Sequence, residues 1–198
     1  MKAFAAIAAL LFAASRAGAQ TIELSPLASI GYTTAAEIDR KAAGVRGLAI
    51  GGGFTWGAQA GYFFSDRLGV DVIWMQQFNN LTMTTSSGSA SLFAMKVGVL
   101  HGNVVYRIRS RGAWQPFVFA GLGSTFFTAD GLDPETKLSF GAGGGLKWFP
   151  SRHVGARVHA RLEPTHLDAS SSAYCNPFGF CQGWLTQFDV AGGLVLRF

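Results

Sequence analysis

The chain has 198 residues, 49% hydrophobic, 13% aromatic and only 14% charged, with 26 Gly, 2 Cys and a formal net charge of +5. It is too apolar and aromatic for intrinsic disorder and too poor in cysteine for a disulfide scaffold, and without a Lys/Arg run it carries no nucleic-acid footprint. Beyond residue 20 no run reaches the roughly 18 consecutive apolar residues of a spanning helix, so any membrane crossing falls to strands.

In chain order, Met1-Lys2 is followed by an apolar run from Ala3 to Ala14, then Ser15-Arg16 and Ala17-Gly18-Ala19 before Gln20. A basic start, an apolar stretch and a small-x-small site read as a secretory signal peptide over residues 1–19. Residues 20–198 are then one domain, and loss of Lys2 and Arg16 leaves 14 − 11 = +3. Eight strand-like segments follow: Thr21–Tyr32, Gly47–Phe64, Leu68–Phe78, Ser91–Ile108, Trp114–Phe127, Lys137–Phe149, His153–Glu163 and Trp184–Phe198. Short turns (Ser65–Arg67, Arg109–Ala113, Pro150–Arg152) alternate with longer polar connections (Thr33–Arg46, Asn79–Ala90, Thr128–Thr136, Pro164–Gly183).

The segments have a period of two. In the last, Trp184, Thr186, Phe188, Val190, Gly192, Leu194, Leu196 and Phe198 oppose Leu185, Gln187, Asp189, Ala191, Gly193, Val195 and Arg197. From Val154, the apolar set Val154, Ala156, Val158, Ala160 and Leu162 opposes Arg157, His159, Arg161 and Glu163. Soluble strands average about 5–6 residues, whereas a tilted strand crossing a bilayer needs about 9–11. The reading is therefore an all-β protein, an eight-stranded antiparallel up-and-down transmembrane β-barrel. Two segments leave their lipid face open. In Trp114–Phe127 both faces are apolar. In Ser91–Ile108 the outward set changes from Phe93, Met95, Val97 and Val99 to Val104 and Tyr106, through either an inserted residue near Gly102 or a boundary placed elsewhere. Gly51-x-Gly53 and Gly141-x-Gly143 lack the following helix and full spacing of a phosphate loop.

If the apolar faces meet lipid, the opposite faces fill the interior with Glu23, Asp71, Glu163 and Asp189 against Arg107, Lys147, Arg157, Arg161 and Arg197, together with Gln59, Asn103, His159 and Gln187. Eight strands leave room for side chains to fill the lumen, and buried charges must pair. That favours a plug of ion pairs over a narrow conduit.

Three stretches, Ala60–Val72 (AGYFFSDRLGVDV), Gln115–Gly123 (QPFVFAGLG) and Phe140–Arg161 (FGAGGGLKWFPSRHVGARVHAR), resemble the bacterial outer-membrane β-barrel domain family, of the outer membrane protein A-like and W-like kind. The C-terminus is similar to that family's assembly signal at Gly193, Leu196 and Phe198, with Ala191 where a polar residue is usual. The resemblance implies a bacterial outer-membrane location, with outer-membrane lipid and, during insertion, the barrel-assembly machinery as partners. It names no ligand and implies no peptidoglycan-binding domain after Phe198.

Catalytic and metal chemistry find little support. His159 and Glu163 share an inner face, whereas His166 and Ser170–Ser172 fall in the connection beyond, and residues 166–169 (His-Leu-Asp-Ala) do not resemble the His-x-Ser-Asn pattern of barrel-type lipid A deacylases. His101 and His153 have no metal-ligand spacing. No catalytic residue, metal or cofactor is expected. Cys175 and Cys181 lie in the longest connection, and an exported chain would join them in a disulfide, presenting Phe178 and Phe180 to a protein partner or folding them over the barrel mouth. The expected role is structural or interactive, with long loops outside the cell; a narrow channel for small or hydrophobic solutes comes second and a lipid-modifying enzyme third.

Overall fold

The computed structural model describes residues 20–33, 45–50, 53–85, 88–108, 112–129, 134–167 and 183–198. The expected signal segment 1–19 and the connection holding Cys175 and Cys181, for which a disulfide is expected, lie outside them, as do Ser170–Ser172. The described strands are β1 (Thr21–Thr33), β2 (Val45–Ile50), β3 (Gly53–Phe63), β4 (Leu68–Thr85), β5 (Gly88–Arg107), β6 (Trp114–Ala129), β7 (Glu135–Trp148), β8 (Val154–Leu167) and β9 (Gly183–Arg197). All pairings are antiparallel: strands β3 to β9 pair with their neighbours in the chain, β2 pairs with β4, and β1 pairs with β3 on one side and with β9 on the other, which closes the sheet. Because β3 pairs with β4 over Gly69–Gln77 and β2 with the same strand over Leu81–Thr85, β2 and β3 form one wall, and the barrel has eight. Reciprocal backbone bonds between Ile22 and Phe198, 3.1 and 2.9 Å, extend the seam.

The register fixes the diameter. Following partners round from Thr21 through Phe63, Gly69, Val105, Phe119, Gly143, Arg161 and Asp189 returns to Gly31, a stagger of 31 − 21 = 10. With the usual strand spacing and rise, that stagger gives a tilt of about 40° and a backbone diameter of about 16 Å. A tube of this width has room for interlocking side chains.

Among the strand residues whose side chains are described, those at odd positions face inward and those at even positions face outward. The outer wall is a continuous apolar surface, with Val72, Leu100, Val104, Val118, Leu122, Val158, Leu162 and Leu194 all exposed. No water-soluble monomer keeps an apolar surface of this extent. Hydrocarbon suits it, because closure pairs the backbone polar groups that lipid cannot satisfy. Aromatic side chains gather towards both ends. Trp114 packs on Trp148 at the short-turn end, and Phe140 on Trp184 towards the other, with ring centroids 6.0 and 6.2 Å apart. On β6, Trp114 and Phe126 are 126 − 114 = 12 residues apart. At a tilted strand's rise this is about 30 Å, the thickness of a hydrocarbon core.

Three details differ from the expectation. Val97 and Val99 face inward, and the β5–β6 register runs unbroken from Met95 to Arg107, so there is no insertion at Gly102. On the other side of β5, the β4–β5 hairpin has a register shift between Leu81 and Thr82, farther from the barrel centre. The expected Asn79–Ala90 connection is mostly strand: β4 and β5 pair as far as Thr85 and Gly88. Finally, β8 continues to Leu167, which places His166 on the outer wall beside Trp184, ring centroids 5.0 Å apart, rather than in a loop. On β6 the open question resolves to Phe117 and Phe119 inside and Val118, Ala120 and Leu122 outside.

Candidate functional site

The barrel interior gathers the polar side chains into three tiers. At the short-turn end, Glu23 on β1 accepts from three cations on three other strands. Arg107 Nη2 donates to Oε1 at 2.8 Å, Arg197 Nη2 to the same oxygen at 2.8 Å, and Lys147 Nζ to Oε2. Arg197 also donates to Gln115 Oε1 at 2.9 Å. The aromatic rings of this tier supply further stabilisation: Arg107 lies 3.2 Å over the Phe63 ring centroid and Arg197 3.4 Å over that of Phe149.

In the middle tier, Asp71 accepts from Asn103 Nδ2 at 2.7 Å and from Gln59 Nε2, while Gln59 Oε1 accepts from Arg157 Nη1. Arg157 therefore reaches Asp71 through the Gln59 amide and stacks at 4.8 Å on Phe117. His159 sits above, 5.8 Å from Phe119 in an edge contact, with neither ring nitrogen bonded to the protein.

The upper tier centres on Arg161, which donates from Nε to Asp189 at 3.0 Å and from Nη2 to Glu163 at 2.9 Å. Glu163 Oε1 lies 3.4 Å from Thr125 Oγ1, which in turn bonds Thr165. His101 Nε2 is 2.7 Å from Ser139 Oγ and 3.7 Å from Glu163. Ser, His and carboxylate thus meet, but on one ring nitrogen. A nucleophilic relay needs the base's two partners on opposite nitrogens, and Ser139 and His101 are fully buried. This cluster locks β5, β7 and β8 together. Opposite the polar tiers, Leu27, Ile73, Met75, Val99 and Ala191 form an apolar patch inside the barrel.

Glycine makes the close tiers possible at two places. A Cβ on Gly141 would stand 2.7 Å from His101 Nδ1, and one on Gly143 would stand 2.6 Å from the Phe119 ring. Of the residues singled out in the sequence, Glu23 meets Arg107 and Arg197 in the lower tier, Asp71 meets Arg157 through Gln59, and Arg161 meets Glu163 and Asp189 in the upper tier. His159 stands apart from these pairs. Gly193 faces inward, while Leu196 and Phe198 lie on the outer wall. His101, Ser139, Thr125 and Thr165 were missed. Their odd numbers were the available signal, obscured on β5 by the apolar Val97 and Val99.

Among the described residues, a small cavity of about 20 Å³ lies in the interior, bounded by Thr55, Met75, Val99, Arg161, Glu163 and Asp189. A separate pocket of about 440 Å³ opens at the short-turn end, against Gln115, Phe149, Arg152 and Arg197.

The fold is similar to several solved barrels. Neisserial surface protein A covers 92% of this chain and all of its own at 15% identity and a TM-score of 0.61. OprG from Pseudomonas aeruginosa covers 91% of this chain and 96% of its own at 13% identity and a TM-score of 0.59. AlkL, solved in lipid bilayers, covers 93% and 94% at 16% identity and a TM-score of 0.54. No curated protein matches the sequence. The outer membrane protein beta-barrel domain family matches residues 4–179, nearly the whole length. The chain therefore belongs to the outer membrane protein beta-barrel domain family, and the protein is an outer-membrane β-barrel.

Proposed function

We propose that the protein is a structural or interaction component of the bacterial outer membrane, a barrel closed by its own side chains that carries its longer connections outside the cell. The observation that supports this most directly is the interior: three tiers of cross-strand ion pairs and hydrogen bonds, with a cavity of about 20 Å³ beside Arg161 and Glu163. A cavity of that size holds a water molecule rather than a solute. On this reading the lipid of the outer membrane is the principal partner, a protein partner is reached through the outward connections, and residues 1–19 direct export.

The test is conductance in planar bilayers. The intact protein should pass almost no current, whereas Arg157→Ala or Arg161→Ala should open a measurable leak. Steady conductance by the unaltered barrel would overturn the closed reading. A narrow conduit is the second reading, and one observation favours it: Ser29 Oγ, Arg161 Nη1, Asp189 Oδ1 and both nitrogens of His159 are buried without protein partners. Groups of this kind are often satisfied by water. Conductance separates the two readings, and lipid A mass spectra with and without the protein test a lipid-modifying activity.

A further inference from the structure

The lower tier is electrostatically unbalanced. Arg107, Lys147 and Arg197 converge on the single carboxylate of Glu23, and Arg152 stands at the rim just below. With Asp66 counted against Arg67 in the exposed β3–β4 turn, the described residues of this mouth hold four cations against one carboxylate, 4 − 1 = +3. A main-chain carboxylate at Phe198 would still leave +2. Partly buried positive charge without a counter-charge is costly, and the cost is relieved by an anion.

Space for that anion lies directly below, in the pocket of about 440 Å³ between the β5–β6 and β7–β8 turns. Its polar surface is built rather than incidental. Arg197 is stacked on Phe149 and fixed through Nε and Nη2 by Glu23 and Gln115, which leaves Nη1 with no protein partner among the described residues. Arg152 has no carboxylate within ion-pair distance among the described residues. Gln115, Phe149 and Arg197 stand at inward-facing positions, so the pocket opens towards the barrel axis and the aqueous side rather than onto the apolar outer wall. Two guanidinium groups, one held planar and pre-oriented, match the several oxygens and the double charge of a phosphate group better than a single carboxylate.

We propose that the short-turn mouth of the barrel binds a small phosphate-bearing solute, gripped by Arg197 and Arg152. The pocket volume accommodates a phosphate with a small organic substituent.

The experiment uses the full-length folded barrel in nanodiscs, with glycerol phosphate as the probe, titrated calorimetrically. Saturable one-to-one binding is expected. Arg152→Gln should weaken it by about tenfold, the scale of one lost charge-assisted hydrogen bond. Arg67→Gln, which removes the same charge from the neighbouring turn, should change it much less. Heat-modifiable gel mobility establishes that each variant is folded. Absence of saturable binding overturns the proposal, as does an equal loss in both variants, which would mean diffuse surface charge. Nanodiscs of phosphatidylglycerol and of phosphatidylcholine should give the same affinity. Competition seen only with phosphatidylglycerol would assign the pocket to lipid headgroups and overturn the solute assignment.

Discussion

Glu23 carries more of the interior's charge balance than any other side chain, because three cations from β5, β7 and β9 share it. Removing it leaves those cations buried and facing one another. Glu23→Ala should cost about 3–5 kcal/mol, the range for breaking a buried pair from one side. Urea unfolding from phospholipid bilayers measures this, and adding Lys147→Met should recover part of the loss. A second residue-scale prediction concerns the glycine slots. Gly143→Ala drives a methyl into the Phe119 ring and the Ala160 carbonyl and should cost about 1–3 kcal/mol as overpacking. Gly102→Ala is the control, since nothing lies within 4 Å of its added carbon, and it should be close to neutral in the same assay.

For a strand, the consequential quantity is which parity faces lipid. On β6 this cannot be read from hydrophobicity, because Phe117 and Phe119 are as apolar as Val118 and Leu122. The aromatics turn inward: the face of Phe117 lies near Lys147 and Arg157 and stabilises their charge, while Phe119 packs edge-on against His159. Leu122→Arg should therefore destabilise the barrel by about 2–4 kcal/mol in bilayer unfolding, and Thr128→Arg, outward but near the strand end, by about 1 kcal/mol or less. The β4–β5 hairpin makes a separable prediction. Above the shift at Leu81 it pairs with β2 and not with the closing strands. Replacing Met83–Ala90 by a two-residue Asn-Gly turn, which keeps Thr82 opposite Ser91, should leave a folded, heat-modifiable barrel.

At the scale of the molecule, closure dominates. β9 supplies both the partner of β1 and that of β8, so deleting residues 183–198 exposes two backbone edges to hydrocarbon. Each unsatisfied group there costs several kcal/mol, and the shortened chain should fail to give a heat-modifiable folded band. The stagger of ten also sets what the interior can hold. A tube about 16 Å across places Arg161 within reach of both Asp189 and Glu163, and Glu23 within reach of three strands.

The alternation in Val154–Glu163 and Trp184–Phe198, the strand lengths and the lack of a long apolar run determined an eight-walled barrel with a charged interior, because lipid on one side and packed side chains on the other impose a strict period of two. Parity alone also placed Arg157, His159, Arg161, Glu163 and Asp189 on the inner face. The tertiary structure decided the rest. Which cation meets which carboxylate depends on register around a closed sheet: Glu23 and Arg197 are 174 positions apart in the chain yet bonded across the seam. The inward turn of Val99 packs it against Leu27, Ile73 and Met75 from other strands, and His101 meets Ser139 because Gly141 leaves it room. Those contacts come from strands far apart in sequence, and a local pattern contains no information about a stagger that is set only when the sheet closes.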